Sequence, residues 1–503
     1  MQQTDKTRVV IAGGGTAGWL AAYSLVKRLG NLLDITLVES DEIGTIGVGE
    51  ATIPSILLFH QLVGIDESEF MRATQATFKL GISLENWANI GDKYIHSFGV
   101  LGQPTWMAEF HEFWLEARDK GFAGPLEDYC LELKAAKREK FATQVEQTHL
   151  NYAYHLDATA YVRYLRKMAE ALGVKRIEGK ISGADMHAES GDLTALRLDG
   201  DESVAGDVFI DCTGFRALLI GEYLGVEFED WSHWLASDRA IAVQTEPAGA
   251  PLPYTRSIAH PAGWQWRIPL QSRIGNGMIY CSKYLSDDEA MKTLFENLPA
   301  KPLTDPFMLK FTTGRRRKSW HKNCIAIGLS SGFLEPLEST AIHMMYTSIA
   351  RLMRLFPFSG NTELLAEQYN RKTNRSLEAV RDFVIMHYKL TQRNDTDYWD
   401  AYRNMDIPED LAHRLAIFQK NGYASDDDAG LFHVTSWVQV MMGQGLDPEQ
   451  HHGASRVLPA AGLEEQLEIV KKSVDTNLNK LPSHQDFIKK YCPSPIAESQ
   501  GSI

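Results

Sequence analysis

Arg8-Val9-Val10-Ile11-Ala12-Gly13-Gly14-Gly15-Thr16-Ala17-Gly18 decides the fold of this chain. Its first part is a short, mostly β-branched apolar run, the pattern of a parallel strand buried on both faces. A complete G-x-G-x-x-G follows, and Trp19-Leu20-Ala21-Ala22-Tyr23-Ser24-Leu25 then reads as a helix. The glycines let the turn tighten and let backbone approach a pyrophosphate. That anion belongs at the helix N-terminus, where unpaired N–H groups and the dipole favour negative charge. A second strand, Ile35-Thr36-Leu37-Val38, ends in Glu39, about 20 residues past the last glycine and placed to bond ribose hydroxyls. Strand, glycines, helix, strand and acid in this order predict a dinucleotide-binding unit. Gly13, Gly14, Gly15, Thr16, Ala17, Gly18 and Glu39 are its expected cofactor contacts.

Two later segments fit the same sheet. Asp207-Val208-Phe209-Ile210 runs into Asp211-Cys212-Thr213-Gly214, and Cys324-Ile325-Ala326-Ile327 runs into Gly328-Leu329-Ser330-Ser331-Gly332. Both are apolar strands ending in small-residue turns, and their separation implies a nucleotide unit interrupted by large insertions. No second G-x-G-x-x-G follows. Residues 216–310 hold alternating segments such as Met278-Ile279-Tyr280-Cys281 and read as sheet-rich, whereas the pattern from Ile349 onward is largely helical.

Composition narrows the partners. At 503 residues the chain exceeds what one core usually serves, so two or three units are expected. An apolar fraction of 44% and a charged fraction of 23% are those of an ordinary globular protein. The formal charge of −14, from 51 basic and 65 acidic residues, argues against nucleic acid. The basic run Arg315-Arg316-Arg317-Lys318 reads as a solvated loop. Cys130, Cys212, Cys281, Cys324 and Cys492 show no disulfide framework or zinc spacing, and no histidine pair has metal spacing, so no metal is expected. With neither a signal peptide nor a membrane-spanning stretch, the expected compartment is the cytoplasm.

Trp264-Gln265-Trp266-Arg267-Ile268-Pro269 sets two indoles on one face of a strand that Pro269 ends or confines to an edge. Paired indoles are often simply core. Together with Gly13–Gly18, Lys79 in Phe78-Lys79-Leu80-Gly81, and Leu334-Glu335-Pro336-Leu337-Glu338-Ser339-Thr340, the motif resembles the flavin-dependent halogenases of the tryptophan-halogenase type, from the first strand to about residue 445.

The resemblance implies an α/β fold: a Rossmann-like FAD-binding domain with an inserted β-sheet substrate region and a helical C-terminal region. The expected parts are a discontinuous FAD domain (1–75, 150–215, 311–350), an inserted region (76–149, 216–310), a helical substrate cover (351–492) and a flexible tail (493–503). It implies that FADH2 and O2 give a flavin C4a-hydroperoxide, that chloride or bromide attacks it, and that the hypohalous acid passes through a tunnel to Lys79. Glu338 would stabilise the ring cation and help remove its proton. A plain alternative for Lys79 is a surface lysine. For Glu338 it is a charge opening the helix through Ile342-His343-Met344-Met345.

By the same resemblance the halide is held by backbone N–H groups of Thr340 and Ala341. Ala341 stands where the family usually has glycine, which would strain a position needing positive φ. Ile46, Glu50 and Ala51, in the glycine-rich strap Thr45–Pro54, with Ile181, Leu329 and Ile342, complete the implied FAD contacts; Trp264 and Trp266 would separate flavin from substrate. A separate NAD(P)H-dependent flavin reductase and an electron-rich, indole-like aromatic are the implied partners, and a homodimer is left open. His96, Phe98, Trp399, Phe432 and Trp437 are candidates to sandwich the ring, with core packing as the alternative; Met344-Met345 and Met441-Met442 read as core. A flavin-dependent aromatic hydroxylase and a non-catalytic flavin-binding protein are the competing readings. Leu329 after Gly328, where hydroxylases usually carry Asp, counts against the first, and Lys79 with Glu338 counts against the second.

Overall fold

Val9–Ala12 is buried on both faces, as its composition requires, inside a six-stranded sheet. The strand order is Lys175–Glu178, Leu33–Glu39, Thr7–Ala12, Val208–Asp211, Cys324–Ala326, Trp320–His321. The first five run parallel and the last is antiparallel. Both later segments picked out in the sequence therefore enter this sheet. Helix Thr16–Leu29 returns from the first strand and packs against helices Ala158–Ala171 and Ala341–Arg354. The expected α/β architecture with a Rossmann-like unit is present. The computed structural model describes residues 6–42, 49–103, 105, 108–200, 202–358, 362–426 and 429–494.

The chain divides into two compact units. One comprises Met1–Ala76, Leu156–Asp238 and Leu309–Glu378, and the other Thr77–His155, Arg239–Met308 and Ala379–Ile503. The second is built on a seven-stranded sheet in the order Phe307–Lys310, Arg239–Thr245, Ile274–Tyr280, Gly263–Pro269, Thr255–His260, Gly81–Glu85, Lys93–Ser97. The Trp264–Pro269 motif lies in its interior, not at an edge, and Pro269 is the last residue of its strand, opposite Ile274. Trp264 and Trp266 sit side by side, ring centroids 6.2 Å apart. Trp266 faces Gly277 across the ladder, and a Cβ there would fall 2.0 Å from the indole, so glycine makes its room. Trp264 is fully buried beside Trp87, which contacts Tyr388 and Trp399 in turn.

One sequence expectation is corrected. The first half of Arg315–Lys318 is not a solvated loop, because strand Gly314–Arg316 pairs with Phe228–Asp230, whereas Arg317 and Lys318 are exposed as expected. Arg315 is buried between Glu229 (3.1 Å) and Glu378 (2.8 Å), its guanidinium over Trp231. Arg317 pairs with Glu227 at 3.1 Å. Acids distant in sequence draw Arg315 inward. Among the described residues all five cysteines are free and buried, no group of acids, histidines or cysteines could hold a metal, and no helix is long and apolar enough to cross a membrane.

Asp211, at the carboxyl end of its strand, is wholly buried and fully engaged. Oδ1 accepts from the Thr213 N–H (3.0 Å) and hydroxyl (2.7 Å), and Oδ2 accepts from the N–H groups of Leu219 and Ile220 (2.8 Å each). The carboxylate thus folds the turn after the strand back beneath the sheet. Asp211→Ala leaves several buried donors unpaired at about 1–3 kcal/mol each. We expect urea denaturation to show a loss of about 2–5 kcal/mol; an unchanged midpoint would contradict this role.

Candidate active site

The glycine turn after the first strand shows why each glycine is there. Gly13 has φ +103°, and a Cβ would meet the Cys212 carbonyl oxygen at 2.4 Å. At Gly18 a Cβ would lie 1.9 Å from the Gly13 oxygen, so helix and turn could not close together. At Gly14 it would overlap the Glu39 carboxylate, whereas at Gly15 nothing stands within 4 Å. Gly15 is the N-cap of helix Thr16–Leu29 and supplies no side-chain cap, leaving first-turn N–H groups for an anion. Glu39 is held by Arg176 (2.6 Å) and the Trp19 indole N–H (3.2 Å). An open cradle of N–H groups beside an oriented acid fits the diphosphate and ribose of a dinucleotide.

On the same unit, Gly328 has φ +74° and closes onto Ala17, leading into a small cavity lined by Leu329, Thr340, Ala341, Met344 and Met345. The two methionines are cavity wall here, not simple core. Glu338 ends a 3₁₀ turn, Pro336–Glu338, and is 1% exposed. It does not open the following helix, which was the plain alternative for it: Ser339 turns left-handed at φ +59°, Thr340 is the N-cap, and the helix is Ala341–Arg354. The positive φ falls at Ser339 and not at Ala341, so the Ala341 Cβ brings no backbone strain. Ile342 is buried at 1% exposure. Ser55, just past the strap, lies 2.6 Å from the Tyr346 hydroxyl and 3.1 Å from His343 Nδ1, tying that segment to the helix. Ala51 is buried, Ile181 begins the strand Ile181–Met186, and Ile46 lies outside the described residues.

The other unit carries Lys79 on strand Thr77–Lys79, which pairs with Ala153–Asp157. Lys79 has no exposed surface, which removes the surface-lysine reading. Its Nζ stands 5.1 Å from the centre of the Phe98 ring. The aromatic candidates separate. Phe432 lies flat on Phe383 at 3.7 Å, with Trp437 edge-on to Phe383 at 4.9 Å and His96 at 5.5 Å. Trp399 is fully buried, stacked on Tyr388, its N–H donated to the His260 carbonyl; it is core. Sequence reasoning passed over Phe383, because one phenylalanine in the long helix Glu363–Lys389 has no distinguishing pattern. It also passed over Gln439, whose side chain bonds both Ser97 backbone groups and holds the His96 strand to helix Val434–Gly443.

A parallel sheet with this turn, uncapped helix and acid defines a dinucleotide-binding protein with a Rossmann-like unit. The tryptophan halogenase family model matches residues 8–460. Tryptophan 7-halogenase RebH of Lentzea aerocolonigenes is 32% identical over 96% of this chain and 98% of its own. A flavin-dependent halogenase from Xanthomonas campestris, Xcc4156, superposes with a TM-score of 0.95 at 51% identity, covering 97% of this chain and 99% of that one. BrvH, a flavin-dependent halogenase from Brevundimonas sp. BAL3, gives 0.91 at 43% identity, covering 97% and 100%. The chain belongs to the tryptophan halogenase family and is a flavin-dependent halogenase.

Burial pushes the Glu50 carboxyl up from 4.5 to about 7. A raised carboxyl favours the folded state while protonated. That contribution is complete below pH 4.5 and is lost as pH rises through about 7. Glu50→Gln, which keeps the neutral form, should melt at the wild-type temperature at pH 4.5 and above it at pH 8. Equal melting at both would show that Glu50 is not desolvated.

Proposed function

We propose that this halogenase installs chloride or bromide on an electron-rich, indole-like aromatic using FADH2 and O2. Lys79 handles the hypohalous acid and Glu338 assists at the ring. The observation that carries the reading is Lys79 itself, a lysine with no exposed surface whose Nζ stands 5.1 Å from the centre of the Phe98 ring. Reduced FAD and O2, when bound, supply the oxidising equivalent that turns halide into hypohalous acid.

The chain's own residues do the rest. Gly13, Gly14, Gly15, Thr16, Ala17 and Gly18 offer backbone N–H groups to the diphosphate, Glu39 bonds ribose, and Glu50, Ala51, Ile181, Leu329 and Ile342 complete the contacts. Thr340 and Ala341 present N–H groups at the start of Ala341–Arg354, suited to a halide. Trp264 and Trp266 keep the organic ring away from the flavin, so that halide is oxidised first. Lys79 Nζ then holds the oxidant by a hydrogen bond or as a haloamine. Glu338 stabilises the positive charge that develops on the ring and accepts its proton, work worth roughly 10²–10⁴ in rate.

The reductant comes from a separate NAD(P)H-dependent flavin reductase. Curated relatives named for tryptophan stand at only 31–33% identity, so an indole-like ring is proposed in preference to free tryptophan.

Incubation with a flavin reductase, NADH, FAD, O2, bromide or chloride and an indole panel should give products with the halogen isotope pattern by mass spectrometry. Glu338→Gln should slow ring halogenation by about 10² or more. Hydroxylated product without halogen, or full activity in Glu338→Gln, would contradict the reading.

A further inference from the structure

Thr77-Phe78-Lys79 is a strand of three residues, none with exposed surface. So short a strand gains little rigidity from its own ladder. Thr77 lies opposite His155, and Lys79 opposite Ala153. The Thr77 hydroxyl donates its one proton to the Pro269 carbonyl at 2.7 Å. Toward His155 Nδ1, 3.0 Å away, it can therefore only accept, which makes Nδ1 the protonated ring nitrogen. His155 Nε2 then accepts from the Thr255 hydroxyl at 2.9 Å. The chain of donors runs in one direction, from Thr255 through His155 and Thr77 to the carbonyl that ends the Trp264–Pro269 strand.

The next residue is held from elsewhere. Phe78 N–H donates to His484 Nε2 at 3.2 Å, and His484 Nδ1 donates to the Pro251 carbonyl at 2.8 Å. Leu80 N–H donates to the Pro253 carbonyl at 2.7 Å. Burial keeps His155 well below the usual imidazole range, Lys79 pushes the same way, and burial takes His484 down to about 4. Both rings are thus neutral, as their hydrogen bonds require. A satisfied polar chain in a dry interior stabilises no more than apolar packing of the same shape. What it adds is direction.

We propose that Thr77 and His155 are positioning residues for halogenation: the Thr77 hydroxyl, oriented by His155, ties the lysine strand to Pro269 and fixes where Lys79 Nζ stands. This rests on the reading of Lys79 given above. Misplacement by about 1 Å at a reacting group can cost 10²-fold. A lysine out of place would fail to retain the oxidant, while steps served by the flavin unit would continue.

The test is Thr77→Val, an isosteric change that removes both bonds, with Thr77→Ser as the conservative rescue. Ring-halogenated product and hypohalous acid caught by a freely diffusing β-diketone are measured together, with FADH2 oxidation and halide KM. Thr77→Val should lower ring halogenation about 10–100-fold, raise the trapped oxidant, and leave FADH2 oxidation and halide KM unchanged; Thr77→Ser should restore coupling. Unchanged partition, or a parallel fall in every activity, would overturn the proposal. If Thr77→Val does not fold, Thr255→Val, which removes only the far hydroxyl, should show the same redistribution more weakly, and its absence would equally overturn it. Lys79→Ala in the same assay separates the two ideas. Retained ring halogenation there defeats the reading of Lys79 and the proposal with it, whereas loss there beside an unaffected Thr77→Val defeats the proposal alone.

Discussion

A lysine with no exposed surface is the constraint around which this molecule is arranged. Removing an ammonium from water costs several kcal/mol even after the surroundings relax, so a site for it exists only where the surrounding groups repay that cost. The Phe98 face stands beside Nζ, and hydrogen bonds on Thr77, Phe78 and Leu80 fix the strand that carries it. Lys79 is consequently held at one place on a strand too short to hold it alone.

The flavin unit solves a different problem, bringing backbone close to an anion. There the residues matter for what they lack. A Cβ at Gly13 or Gly18 would collide with backbone oxygen, and the open side at Gly15 is where the helix N-terminus stays uncapped. Asp211, buried under the neighbouring strand end, collects four donors and shapes the turn beside that cradle. One unit is thus built on omitted side chains and the other on a deeply buried one.

What could be read along the chain follows from how local each device is. The glycine turn, its strand and its helix are contiguous, so their pattern carries the physics and the α/β fold was legible. Lys79 and Glu338 stand out only as parts of motifs, and their near-complete burial is a tertiary fact. The helix after Glu338 begins at Ala341 because Ser339 adopts a left-handed conformation, which residue types did not announce. Arg315 looked solvated because Glu229 lies 86 residues away, and the bond from Phe78 to His484 spans 406. Phe383 and His155 likewise gain meaning only from what folding sets against them. Trp264 shows the converse: the paired indoles were evident, but only the fold shows Trp264 enclosed beside Trp87.

Single-turnover reaction of the FADH2-loaded enzyme with O2, bromide and indole, comparing wild type with Lys79→Met, tests the central claim most directly. Methionine fills similar space but cannot hold or carry the oxidant. Wild type should convert most FADH2 oxidised into bromoindole, and Lys79→Met should oxidise FADH2 at the same rate with almost none. Equal yields of bromoindole per FADH2 would contradict the assignment of Lys79.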